Sequence, residues 1–184
     1  MLTVKERGHF VATMRYAHVS VMETMAAWVP TSPEMEVKLL LGEHIWDMAQ
    51  HADSLGKRTY ELRLPLQHSV RPAESYVDFL AEASAIGPTP QRLAVMYDVV
   101  IPALAGRQRH YLEQTDRLVD APTVRILERY LVDVARILDA AHALRRELPA
   151  LQMPDGQWVT ALLGREAALE FLATAPTAGV AVEA

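Results

Sequence analysis

Hydrophobic residues recur at steps of three and four along most of this chain, which is the spacing of one helix face. In the first such run, from Glu6 to Val29, the recurring positions are Phe10, Met14, Ala17, Val21, Met25 and Trp28. Further runs cover 33–64, 91–119 and 123–148, and prolines separate or interrupt them. No alternating pattern typical of strands competes with these runs. The pattern therefore predicts an all-α fold with four long helices.

Prolines and polar residues predict how these helices begin and bend. Ser32 is expected to cap the second long helix, with Pro33 at its first helical position. Pro102 lies inside the third run and cannot donate a backbone hydrogen bond. We therefore expect a kink near 98–102.

The whole chain, 1–184, is predicted to be one domain. Two antiparallel helical hairpins joined by a long crossover would form a four-helix bundle over about 6–148. A short C-terminal helix, about 155–172, would cap the bundle. The remaining residues, 173–184, are small and apolar, and predict a loose tail.

Composition narrows the possible partners and the compartment. The chain has 184 residues, of which 51% are hydrophobic, and this is enough for one sizeable core. Its net charge of −5 gives no electrostatic basis for binding nucleic acid. The absence of cysteine excludes disulfides and thiolate metal sites. No apolar run reaches the roughly 18 residues of a membrane span, and the N-terminus lacks a signal-peptide layout. We therefore expect no membrane partner and a cytoplasmic location.

Candidate chemistry lies on the fourth long helix, where Asp139 and His142 are three residues apart and project from one side. In an antiparallel hairpin, residues equally distant from the turn lie at the same height. Asp139 would then face about residue 100, and His142 about residue 97. Tyr97 and Asp98 stand there, so Asp98, Asp139 and His142 are expected to meet inside the bundle.

The first hairpin gives a second candidate group by the same construction. Asp47 and His51 of the second helix lie at about the height of Tyr16 in the first helix. His18 and His44 lie about one turn nearer the loop. These histidines are either structural residues with hydrogen-bond partners or part of a pocket.

On these residues the chain resembles the ferritin-like carboxylate proteins over about 6–148. In that superfamily the first and third helices each supply an acid, and the second and fourth each supply an acid-x-x-His motif. This chain matches through Asp98 on the third helix and through Asp139 and His142 on the fourth. The second helix keeps His51 but has Met48 where the acid is expected.

The first hairpin departs further from the family pattern. Asp47 is displaced by one residue, a step of about 100° around the helix, and Tyr16 stands near the position of the first-helix acid. The resemblance implies iron, as one or two ions, or manganese. Its ligands would be Asp47, His51, Asp98, Asp139 and His142. A protein without metal is the alternative.

The function implied by the resemblance is a ferritin-like metal-dependent oxidoreductase acting on a small molecule. His51, His142, Tyr16 and Tyr97 would be its catalytic residues, and His18, His44 and Met48 would line its pocket. Two alternatives stay open: a metal-free enzyme using His/Asp acid–base chemistry, or a non-enzymatic helical binding protein. A homodimer and a haem-oxygenase-like helical fold are also compatible with the pattern.

Overall fold

The computed structural model describes residues 2–152 and 155–172, and within them the chain forms helices and connections without a strand. This confirms the predicted all-α class. The α-helices are α1 Val4–Trp28, α2 Met35–Glu61, α3 Glu74–Ser84, α4 Thr89–Ala94, α5 Ile101–Gln114, α6 Ala121–Glu147 and α7 Gly156–Ala167. A π-helical segment, Val95–Val100, connects α4 to α5. The predicted tail, 173–184, lies outside the described residues.

The ends of α1 show where local chemistry sets the boundaries. Thr3 and Glu6 form a capping box, in which the Thr3 hydroxyl accepts from the Glu6 amide and the Glu6 carboxylate accepts from the Thr3 amide. The predicted capping role of Ser32 is wrong. The Ser32 hydroxyl donates to the Trp28 carbonyl at 2.9 Å and so closes α1. Glu34 occupies the N-cap of α2, without a side-chain cap.

Pro102 explains the π-helical segment that precedes it. Residues 89–114 form one continuous helical stretch, in which the Ile101 amide donates to the Met96 carbonyl five residues earlier. Proline has no amide hydrogen, and its ring crowds the carbonyl of the preceding turn. The widened turn accommodates this defect, and π-helical turns of this kind are frequent at functional sites.

The four long helical stretches pack side by side around a shared core. Helices α2 and α6 are antiparallel. Asp47 binds Arg136 in the second half of α6, whereas Arg58, later in α2, binds Asp120 just before the start of α6. Phe10 of α1 stacks on Tyr111 of α5, with ring centroids 4.1 Å apart. The core between them is largely aliphatic and methionine-rich, and its fully buried members include Met14, Met25, Leu41, Met48, Leu93 and Met96. Polar side chains at the middle of these helices therefore face one another.

Among the described residues, no helix combines the length and the apolar composition needed to cross a lipid bilayer.

Candidate functional site

The structure brings Asp98 and His142 together, at the height that the hairpin register predicts. The Nε2 atom of His142 lies 3.2 Å from the Oδ1 atom of Asp98. Arg145 also binds Asp98, donating to both carboxylate oxygens at 2.6 and 2.7 Å. Burial acts to raise the pKa of Asp98, but the hydrogen bonds and charges of Arg145 and His142 outweigh it and lower this pKa. Asp98 is thus the acceptor in an ion pair.

Asp139 does not join this pair, which corrects the expectation that it would meet Asp98 and His142. Its side chain is exposed. Ile137 and Ala141 of the same helix face the core, with 0% and 1% of their surface exposed. Each lies two residues from Asp139, about 200° around the helix, so Asp139 points away from the core. The register gave the height along α6 correctly but not the direction around it.

Asp47 is also absent from the interior. Its carboxylate accepts from Arg136 of α6 at 2.8 Å, and Glu43 accepts from the same guanidinium. Met48, one residue on, is fully buried in the core. The one-residue displacement seen in the sequence therefore places the acid on the flank of α2 and the thioether inside.

His51 pairs with an acid that the sequence did not identify. Its Nε2 atom lies 3.1 Å from the Oδ2 atom of Asp133 on α6, and only 5% of the residue is exposed. Burial lowers the pKa of His51, while the charges of Asp133 and Asp47 oppose that shift in part. The net pKa is below its ordinary value, so His51 is neutral at pH 7. An ionised Asp133 favours the proton on Nε2 and leaves the lone pair on Nδ1.

Behind His51 lies a buried polar cluster, which we define as His18, His51, Gln108 and Tyr130. It receives one member from each of α1, α2, α5 and α6. The Tyr130 ring lies edge-on to both imidazoles, with centroids 4.6 Å from His18 and 4.9 Å from His51. The Nε2 atoms of Gln108 and His18 are 2.9 Å apart, and an amide nitrogen only donates, so His18 accepts there.

Three polar atoms of this cluster have no hydrogen-bond partner among the described residues. They are Nδ1 of His18, Oε1 of Gln108 and the hydroxyl of Tyr130. Burial and, to a smaller extent, the nearby His51 lower the pKa of His18 to about 3. The cluster is therefore neutral and only partly satisfied, and an unpaired buried polar group is costly to a fold.

The remaining predicted residues are distributed around this cluster. Nδ1 of His44 lies 2.8 Å from the hydroxyl of Tyr97, and both side chains are buried. Burial raises the pKa of Tyr97 and lowers that of His44 to about 4, so both are neutral at pH 7.

Tyr16 is half-buried, and within the described hydrogen bonds it is joined to neither Asp47 nor His51. His18, His44 and Met48, which were predicted to line a pocket, each have 0% exposure and belong to the core.

A cavity opens between α2 and α6, beside the His51–Asp133 pair. Its volume is about 350 Å³, and its polar lining includes Asp47, Gln50, His51, Arg125, Arg129 and Asp133. Trp46 lies at its edge with 65% of its surface exposed. A polar cavity of this size suits a small molecule. We call it the α2/α6 cavity.

A larger cavity of about 930 Å³ lies beside the start of α1, with Phe10, Leu64, Val70 and Phe171 in its wall. None of the residues predicted to carry chemistry lines it. Its lining also holds titratable groups, Glu6, His9 and His110, but in the described contacts none of these three pairs with an acid or base of another helix. We therefore place the candidate site at the α2/α6 cavity.

No family model, curated protein or solved structure matches this chain. The resemblance to ferritin-like proteins thus rests on the sequence pattern alone.

The residues present do not fit the ligand set that this resemblance implies. In the part of the chain that the structure describes, no three His, Asp or Glu side chains are grouped to hold a metal ion. Both oxygens of Asp98 are taken by Arg145, and Asp47 is taken by Arg136. Two divalent ions need several free anionic oxygens.

Asp133 is the residue that sequence reasoning missed. Pairing each helix only with its hairpin partner compares α1 with α2 and α5 with α6, and never α2 with α6. The signal was the position of Asp133 between the buried residues Tyr130 and Val134. Because Asp133 follows the buried Tyr130 by three residues, it lies at the edge of the face of α6 that points into the core.

Proposed function

We propose that this protein is an enzyme that acts on a small molecule by acid–base chemistry, with His51 as the proton-transfer group and Asp133 as its positioning residue. The observation that carries the proposal is the His51–Asp133 contact of 3.1 Å in the wall of the α2/α6 cavity. A buried imidazole next to a carboxylate, facing a cavity, is a typical arrangement for general acid–base catalysis.

The chemistry follows from the protonation state of His51. Neutral at pH 7, it accepts a proton at Nδ1 from a substrate bound in the cavity and returns it later to the product. The imidazolium that forms is stabilised by the negative charges of Asp133 and Asp47, both of which act to raise its pKa. Proton transfer of this kind contributes about 10²–10⁴-fold to rate.

We also propose that the scaffold is a ferritin-like bundle whose metal ligands have been replaced. Two observations support this proposal. Helices α2 and α6 pack antiparallel, and Phe10 of α1 stacks on Tyr111 of α5. In this proposal Met48 replaces the acid of the second helix, and Arg145 occupies the Asp98 carboxylate in place of a metal ion. Cytoplasmic location and a homodimer stay predictions.

A screen of small metabolites, followed by mass spectrometry, tests the enzymatic proposal. The full chain, stripped with a chelator, is compared with His51→Gln and with His110→Gln. His110 is a matched control because it is an exposed histidine whose Nδ1 lies 3.8 Å from Glu113. We expect turnover of at least one compound to fall about 10²–10⁴-fold in His51→Gln and to stay unchanged in His110→Gln. Equal turnover by His51→Gln and the unaltered protein would contradict the proposal.

A metal-dependent oxidoreductase is the second candidate, because Asp98 lies in a π-helical segment and contacts His142 of α6. It requires iron or manganese to displace Arg145 from Asp98. Elemental analysis of protein from iron- and manganese-supplemented cells tests it. Metal bound in a fixed ratio to the chain, and lost in His142→Ala, would favour this candidate over the first.

A further inference from the structure

Two arginines of α6, Arg125 and Arg129, line the same cavity as His51. They are four residues apart and so lie one turn apart on the same side of the helix. Like charges at this spacing destabilise a helix. Both side chains are exposed, so their repulsion is small, and an anion bound between them would offset it.

The described residues provide no carboxylate within ion-pair distance of either guanidinium. Asp133 stands one turn beyond Arg129, at the spacing of a helical ion pair, but its carboxylate contacts His51. Asp47, the other acid of the cavity, is bound by Arg136. Both acids that could neutralise the arginine pair are thus engaged elsewhere.

Several other arginines of the chain bind a carboxylate of another segment. Arg58 binds Asp120, Arg136 binds Asp47 and Arg145 binds Asp98, and each of these contacts is 2.9 Å or shorter. Arg125 and Arg129 have no such counter-ion among the described residues, and both side chains are exposed, so their guanidinium groups are accessible to a ligand. Guanidinium groups bind carboxylate and phosphate oxygens through paired hydrogen bonds.

We propose that the α2/α6 cavity binds a small molecule that carries an anionic group, a carboxylate or a phosphate monoester. Arg125 and Arg129 hold that group, and the rest of the molecule lies against His51. A volume of about 350 Å³ limits the ligand to a compact metabolite. Gln50 and Ser54, which also line the cavity, supply neutral hydrogen-bonding groups. The reaction at His51 rests on the proposed function, whereas the anion site does not.

Calorimetric titration and ¹⁵N NMR of the full chain test this proposal. The probes are inorganic phosphate and acetate, each added at constant ionic strength against sodium chloride. The indole N–H of Trp46 reports locally, because Trp46 lines the cavity. The variants are the double substitution Arg125→Gln/Arg129→Gln and, as a matched control, Arg109→Gln, since Arg109 is an exposed arginine outside the cavity.

We expect one of the two anions to bind and to shift the Trp46 signal. Phosphate binding alone would assign a phosphate monoester, and acetate binding alone a carboxylate. The double variant should bind at least about tenfold more weakly, which is about 1.4 kcal/mol, while Arg109→Gln should bind as the unaltered protein does. Unchanged helical content, measured by circular dichroism, verifies that the double variant is folded.

Two results would overturn the anion site: neither anion binds to the unaltered protein, or the double variant binds as tightly as the unaltered protein. Failure of the proposed reaction looks different. If His51→Gln retains full turnover while anion binding still depends on Arg125 and Arg129, the site stands and the role of His51 is wrong.

Discussion

Two buried polar groups of this molecule differ in how completely they are hydrogen-bonded. At the junction of α5 and α6, the Asp120 carboxylate is fully buried and accepts from Tyr111, Thr115, Thr123 and Arg58 at 2.6–3.1 Å. The cluster of His18, His51, Gln108 and Tyr130 is buried to a similar degree, but it contains three atoms without a partner among the described residues.

The electrostatic consequences differ as well. Burial acts to raise the pKa of Asp120, but four hydrogen bonds outweigh it, so the pKa is lowered and the carboxylate stays charged. In the histidine cluster burial dominates, and both imidazoles are neutral. A completed network rigidifies a fold, whereas an incomplete one costs stability and is retained where chemistry uses it. The comparison therefore assigns a structural role to the Asp120 network and supports the proposal that the histidine cluster takes part in chemistry.

The largest expected effect is on the Asp120 network. Asp120→Ala should lower the free energy of unfolding by about 3–5 kcal/mol, because it leaves Arg58 buried without its main counter-ion. Urea denaturation measures this change. Glu61→Gln is the control, since Glu61 is the exposed partner of the same arginine and its loss should cost at most about 1 kcal/mol. Equal losses in the two variants would contradict the assignment.

Acid should act on the buried histidines before it acts on Asp120. The pKa of His18 is lowered to about 3 and that of His44 to about 4, both below the ordinary histidine value. The unfolded chain therefore binds more protons, and stability falls as the pH drops below about 6.5. Each histidine should cost about 2 kcal/mol between pH 7 and pH 5.

Urea denaturation of His18→Gln at both pH values isolates one of these contributions. The variant should lose about 2 kcal/mol less than the unaltered protein between pH 7 and pH 5. An identical pH dependence in the two proteins would show that folding does not lower the pKa of His18.

Two tyrosines give the smallest and most closely matched test. Tyr111→Phe removes a hydroxyl that donates to Asp120 at 2.6 Å, and it should cost about 1.5–3 kcal/mol. Tyr130→Phe removes a buried hydroxyl with no described partner, and it should change stability by less than about 0.5 kcal/mol or increase it. Thermal unfolding of both variants measures the difference. Equal destabilisation would mean that the Tyr130 hydroxyl is hydrogen-bonded after all.

The sequence predicted the helices well because the spacing of hydrophobic residues follows the buried face of each helix. The approximate extents of α1, α2, α6 and the continuous helical stretch 89–114 followed from it, and so did the meeting of Asp98 with His142. The capping role of Ser32 failed, because its hydroxyl bonds backward to α1. The sequence around a serine does not show whether its hydroxyl will bond to the end of the preceding helix or to the start of the next one.

The site was less predictable for a geometric reason. Height within a hairpin follows from counting residues, but direction around a helix changes by 100° per residue. Asp139 has the predicted height beside the Asp98–His142 pair but points elsewhere. Asp47 binds an arginine of α6 and not a residue of α1. Asp133 lies on a contact between hairpins, for which residue counting from a turn gives no register. Contacts between hairpins become visible only in three dimensions.

The protonation of His51 tests the central claim most directly, and it requires no substrate. In a pH titration followed by ¹⁵N NMR of the imidazole, His51 should be neutral at pH 7 with a pKa below the ordinary histidine value, and its proton should reside on Nε2. Asp133→Asn should lower that pKa further, because the carboxylate favours the charged imidazole. A His51 that is charged at pH 7, or whose pKa does not respond to Asp133→Asn, would contradict the account.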